Sequence, residues 1–177
     1  ETINAPYAEK CTVSNVFSSD MVVQRGEHIR VWGFADASEN GHKVSGEFMG
    51  MFAEALIENG AWTLTFGARL NACAEQGNSM RIYTDRTAFV FENVLVGDVF
   101  MVIGQSNVAY SMAAHRAAVP ETERGGVGYD VPSTPIRLHY NSLMQETGVT
   151  RGTEEVCAEL RNRETWKRAD AAVVQDF

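Results

Sequence analysis

Asn93-Val94-Leu95-Val96-Gly97-Asp98-Val99-Phe100-Met101-Val102-Ile103-Gly104-Gln105-Ser106-Asn107 is the stretch on which the reading of the fold turns. Val99 to Ile103 is a continuous apolar run, the pattern of a strand buried on both faces in a parallel sheet. Gly104-Gln105-Ser106-Asn107 then makes a tight turn. From Asn107 to Ala118 the residues suit a helix, with Val108, Met112 and His115 on one face and Pro120 just past its end. Strand, turn and helix in that order open an α/β unit.

Upstream of this stretch the chain reads as β. His28-Ile29-Arg30-Val31-Trp32 and Trp62-Thr63-Leu64-Thr65-Phe66 alternate in polarity, as do Ser79 to Tyr83 and Thr87 to Phe91. Turn residues separate them: Arg25-Gly26, Asn40-Gly41, Asn59-Gly60 and Gln76-Gly77-Asn78. Short strands at this spacing predict a β-sandwich of jelly-roll or Ig-like form over residues 1–96. Downstream, residues 120–135 are loop-like, Ile136 to Tyr140 reads as a strand, residues 145–165 as a polar excursion, and Asp170 to Phe177 as the start of a helix. Two strands after residue 97 are too few for a complete α/β layer, so residues 97–177 read as an unfinished domain.

Ser106 is the strongest candidate for chemistry. A serine at the carboxyl end of a buried strand, entering a helix, exposes its hydroxyl beside backbone N–H groups able to hold an oxyanion. Gly104 permits close backbone approach. The pattern is not GxSxG, since Val108 stands at the last position. Residue chemistry alone also allows Ser106 to be a helix N-cap, which is the commoner role. A serine nucleophile needs a histidine base. His28 and His42 fall at strand edges or turns, His115 lies more than two helical turns below Ser106, and His139 sits in a predicted strand. None is placed to activate it.

Composition excludes several classes. The chain has 177 residues with 15 Lys plus Arg against 23 Asp plus Glu, a formal net charge of −8. With no basic block, binding to a nucleic-acid backbone is disfavoured. Val99 to Ile103, the longest strongly apolar stretch, is too short to span a bilayer. No dinucleotide loop, HExxH, Walker or calcium-loop pattern occurs. Cys11, Cys73 and Cys157 are widely spaced and read as buried small hydrophobes. Trp32 and Trp62 read as core residues, although either ring could stack on a sugar. The start at Glu1 fits a cleaved signal peptide or an expression boundary equally well.

Several blocks resemble the sialate O-acetylesterase family. They are Val13 to Glu27, Ile29 to Asp36, Asn59 to Leu64, Asn93 to Phe100 with Gly104-Gln105-Ser106-Asn107, Ile136 to Leu138, and Trp166 to Phe177. Residues 41–57 and 110–165 match least. The resemblance implies a β-sandwich followed by the first part of an SGNH hydrolase-like, flavodoxin-like α/β/α domain. It implies an esterase that removes O-acetyl groups from sialic acids or related glycans, with no cofactor and no metal. Ser106 is then the nucleophile, with its own N–H as one oxyanion donor and Gly104, Gln105 and Asn107 supporting the site.

Two departures stand out. Val108 replaces the family's usual Met, and the blocks supplying the remaining oxyanion donors and the Asp-x-x-His base have no match here. The expectation is therefore a second polypeptide, or a missing segment, that completes the catalytic domain, and a secreted, periplasmic or lysosome-like location. The competing expectation is a non-catalytic glycan-binding or scaffold module in which Ser106 only caps a helix.

Overall fold

Alternation decides the first unit of the structure, a computed structural model that describes residues 2–3, 10–103, 110–123, 135–139 and 165–169. Nine strands fall before residue 98: β1 (Thr2–Ile3), β2 (Cys11–Val13), β3 (Val22–Gln24), β4 (His28–Ala35), β5 (Lys43–Phe48), β6 (Met51–Leu56), β7 (Ala61–Arg69), β8 (Cys73–Tyr83) and β9 (Ala88–Gly97). One sheet has the order β1-β9-β8-β5-β6, with β3 also on β9; a second has the order β2-β4-β7. In β4, Ile29, Val31 and Gly33 turn inward while His28, Arg30 and Trp32 turn out. In β7, Trp62, Leu64 and Phe66 turn inward between exposed threonines. Period-2 polarity of this kind sends one face to the core and the other to water.

Both sheets feed one core. Phe48, Phe66, Phe89, Phe91, Leu64 and Ile82 are each less than 2% exposed. Burying such a side chain stabilises by about 2 kcal/mol. Phe48 of the first sheet meets Phe66 of the second at 6.4 Å between ring centroids. The β6–β7 hairpin carries the chain from the first sheet to the second, so the β structure curls on itself. Its turn, Asn59-Gly60, has φ of 52° and 73°, the pair of positive angles that a two-residue hairpin turn needs. Met49-Gly50 makes the equivalent turn between β5 and β6, with φ of 47° and 75°.

The compact unit of these strands comprises Glu1–Val99 and His139–Trp166. Trp166 fastens the distant segment to it: the indole N–H donates to the Val16 carbonyl at 2.7 Å and the backbone N–H to Ser18 Oγ at 3.0 Å. Its ring also rests against His139, with centroids 5.4 Å apart.

The second unit comprises Phe100–Leu138 and Lys167–Phe177. It contains α1 (Met112–Ala118) and a two-stranded antiparallel ribbon of β10 (Arg137–Leu138) and β11 (Lys167–Arg168). Ser111 caps α1, its Oγ accepting from the Ala114 N–H at 3.2 Å. The chain is thus mostly β, with one α-helix among the described residues.

Five expectations change. Val99 to Ile103 forms no strand, and Phe100 to Ile103 are each more than 75% exposed. An apolar run specifies burial but not the neighbours that provide it, and the described residues offer this run no strand partner. The α/β/α layer expected from that strand is therefore not formed by the described residues. The helix expected from Asn107 is described only from Met112, where the Ser111 hydroxyl satisfies its start. Gln76-Gly77-Asn78 is not a turn but part of β8, where the register with β9 shifts on both sides of Asn78. Trp32 faces solvent, 41% exposed, because strict alternation in β4 gives the inward place to Gly33.

Gly33 is where packing is tightest. A Cβ there would lie 1.9 Å from the Thr12 carbonyl and 2.5 Å from the Trp62 ring. Gly33→Ala is expected to destabilise the protein by about 3 kcal/mol through overpacking, read as a lower urea midpoint with an unchanged m-value.

Candidate active site

β9 precedes the Gly104-to-Asn107 block in the sequence, and the end of β9 is held by several contacts. β3 runs parallel to the end of β9, pairing Val22 with Leu95 and Gln24 with Gly97. Just beyond β3, the Arg25 N–H donates to the Gly97 carbonyl at 2.8 Å. Gln24 Oε1 accepts from the Val99 N–H at 2.8 Å. The Arg25 guanidinium reaches Asp98 Oδ1 at 2.8 Å. The hydrogen bond from Arg25 is the main cause that holds the Asp98 carboxyl below its usual range. Gln24, Arg25 and Asp98 together clamp the strand end. In the sequence, the sign of this clamp is Asp98 directly after the last residue of β9.

Gly104, Gln105, Ser106 and Asn107 themselves lie outside the described residues, as does Cys157. The histidines are described. His28 Nδ1 is 3.2 Å from the Phe66 carbonyl on the exposed side of β4. His42 Nδ1 is 3.4 Å from Glu39 Oε2. His115 on α1 packs edge-on to Tyr110 at 6.2 Å. His139 rests on Trp166. Each is tied to its own local partner. Among the described residues no three His, Cys, Asp or Glu side chains converge as a metal site, and no described helix is long and apolar enough to cross a membrane.

A second cluster is ionic and structural. Glu39, in the 3-10 turn Ala37–Glu39, is buried at 5% exposure. Its Oε1 accepts from Arg86 Nη1 at 3.0 Å and lies 4.0 Å from Lys10 Nζ. With His42 on Oε2, three basic groups surround the one carboxylate, as a buried charge requires. Nearby, burial raises the Cys11 thiol to about 11; the Trp62 indole opposes the rise and Glu39 adds to it. Cys11 is accordingly a poor nucleophile.

No family model matches the chain, and no curated protein matches it. Among solved structures, it is similar to one described as a novel carbohydrate acetylesterase from Xanthomonas citri. The identity is 20% and the TM-score 0.60, over 94% of this chain and 34% of that one. The likeness establishes a shared fold. This chain spans about a third of that protein's length.

A titration and an alkylation test the electrostatics. The Asp98 carboxyl, followed by NMR, is expected to titrate below the usual 3.8 and to return toward it in Arg25→Ala. A depressed folded value means that the pair's contribution is present above the ordinary carboxylate range and lost as pH falls through the depressed value. For the thiols, alkylation by iodoacetamide at pH 8.5, mapped by peptide mass, is expected to modify half-buried Cys73 well before Cys11. Faster labelling of Cys11 would contradict its burial.

Proposed function

We propose that the chain is part of a carbohydrate O-acetylesterase of the sialate O-acetylesterase type, with Ser106 as nucleophile. The observation that carries the reading is the fold likeness over 94% of the chain to a carbohydrate acetylesterase, taken with a Gly-Gln-Ser-Asn block placed after the clamped end of β9. The proposed architecture is a β-sandwich over residues 1–96 followed by the first part of an SGNH-like domain over residues 97–177.

In this reaction the Ser106 Oγ attacks the acetyl carbonyl carbon while a histidine takes its proton. The tetrahedral oxyanion is held by the Ser106 N–H, with Gly104, Gln105 and Asn107 shaping the pocket. The C–O bond to the sugar breaks, and the sugar oxygen receives the proton. Water then attacks the acetyl-enzyme, returning Ser106 and releasing acetate. None of the chain's four histidines stands in an Asp-x-x-His block, so the proposal assigns the base and its carboxylate to a second polypeptide or a missing segment. The reading carries with it a secreted, periplasmic or lysosome-like location. Substrates are O-acetylated sialic acids or related acetylated glycans.

Intact mass of native material before and after fluorophosphonate treatment tests this. The expected result is a second polypeptide and one adduct on this chain, absent in Ser106→Ala. The isolated chain, lacking its base, is expected to release acetate from O-acetylated sialic acid at least about 10⁴-fold more slowly than the completed enzyme. A completed assembly without an adduct, or with the adduct at another residue, would sink the serine mechanism.

A further inference from the structure

The two sheets present opposite chemistry to water. On the first, polar side chains already satisfy one another. Tyr83 donates to Glu47 at 2.9 Å, Lys43 pairs with Glu54 at 3.0 Å, and the Arg81 guanidinium covers the Tyr83 ring at 4.6 Å. The second sheet differs. β2, β4 and β7 contain no Asp or Glu at all, in a chain with 23 acidic residues. Their exposed residues include Arg30, Trp32, Thr63, Thr65 and Arg69. Neither Arg30 nor Arg69 joins an ion pair among the described residues.

Register brings these groups together. Trp32 lies opposite Thr63, and Arg30 opposite Thr65. Such cross-strand neighbours stand about 5 Å apart, with the next pair on the same face about 7 Å along the strand. The Trp32 ring is fixed in plane: Phe17 packs against it at 80°, centroids 4.7 Å apart. Two-fifths of Trp32 nonetheless remains exposed. Beside Thr63 the surface dips into an open depression of about 400 Å³, also lined by Leu56, Glu58 and Ala61.

We infer that this face of the second sheet, centred on Trp32, binds a carboxylate-bearing saccharide. The indole offers a rigid apolar platform to the C–H face of a sugar ring. The threonine hydroxyls donate to and accept from sugar hydroxyls. Arg30 supplies the planar fork that fits a carboxylate, and Arg69 extends the cationic strip. The site lies wholly on β4 and β7 of the first unit. It deepens the carbohydrate reading, on which it rests only for the class of ligand, by giving the β unit a hold on acidic glycans.

The test uses the whole chain, titrated with sialyllactose, an oligogalacturonide and lactose, none of which carries an O-acetyl ester for Ser106 to cleave. Indole N–H resonances are followed by NMR, and Trp32→Phe assigns the Trp32 signal. At least one of the acidic sugars is expected to shift that signal saturably. Lactose should bind about tenfold more weakly, and so should the acidic sugar to Trp32→Ala or Arg30→Gln. Arg30→Gln alters one exposed side chain and keeps the test valid should Trp32→Ala unfold. Equal binding of acidic and neutral sugars, no saturable binding of either acidic sugar, or an Arg30→Gln affinity equal to the parent's would overturn the proposal. So would self-association abolished by Trp32→Ala, which assigns the face to a second copy of the chain. Loss of the fluorophosphonate adduct with sugar binding intact would remove the esterase reading and leave this site standing.

Discussion

Two positions without side chains let the sheets close. At Gly46 of β5, a methyl group would lie 2.8 Å from Leu64 Cδ1 and 3.0 Å from the Phe66 ring. Hydrogen in its place lets β7 bring Leu64 and Phe66 down onto the first sheet at interior packing density. Gly33 does the same within the second sheet. It lies opposite Trp62 in the β4–β7 ladder, and the large indole occupies the space that a side chain at 33 would need. The consequence passes along the strand. With Gly33 inward, Trp32 must point outward, and the only large aromatic exposed on that sheet is set by a glycine beside it.

Charge is distributed with the same economy. The buried Glu39 is surrounded by Lys10, His42 and Arg86, drawn from three parts of the chain. Asp98 is engaged by Arg25 at the exit of β9. On the first sheet Glu54 pairs with Lys43, while Glu47 accepts from Tyr83 and Glu92 from Ser79. The strands of the second sheet carry Arg30 and Arg69 with no acid among them.

Much of the β part was legible from alternation. β4, β7 and the later part of β8 with β9 follow from runs in which every second residue is apolar, and Asn59-Gly60 adopts the turn its sequence asks for. β5 and β6 went unread although Val44, Gly46 and Phe48 alternate with polar neighbours, because the glycine there breaks the apolar run by residue type while keeping its geometry. Trp32 was misplaced because its hydrophobicity outweighed its phase; sharing a face with Arg30, it had to follow Arg30 outward. Val99 to Ile103 shows the opposite failure. Its composition demands cover, but composition names no partner, and only partners make a strand. For the Ser106 block the legible part is its approach through β9 and the Arg25–Asp98 pair; the chemistry itself rests on residue type and order.

The hydrogen bond from Trp166 to Val16 joins residues 150 positions apart. At translation rates of about 5–20 residues per second, roughly eight to thirty seconds separate the synthesis of its two ends. During that interval the emerging β strands must collapse with the Val16–Ser18 segment uncovered. Closure by Trp166 is then a late, non-local step whose entropic cost rises only slowly with the length enclosed. The nascent chain therefore spends its early life without the two hydrogen bonds that Trp166 gives to the Val16–Ser18 segment.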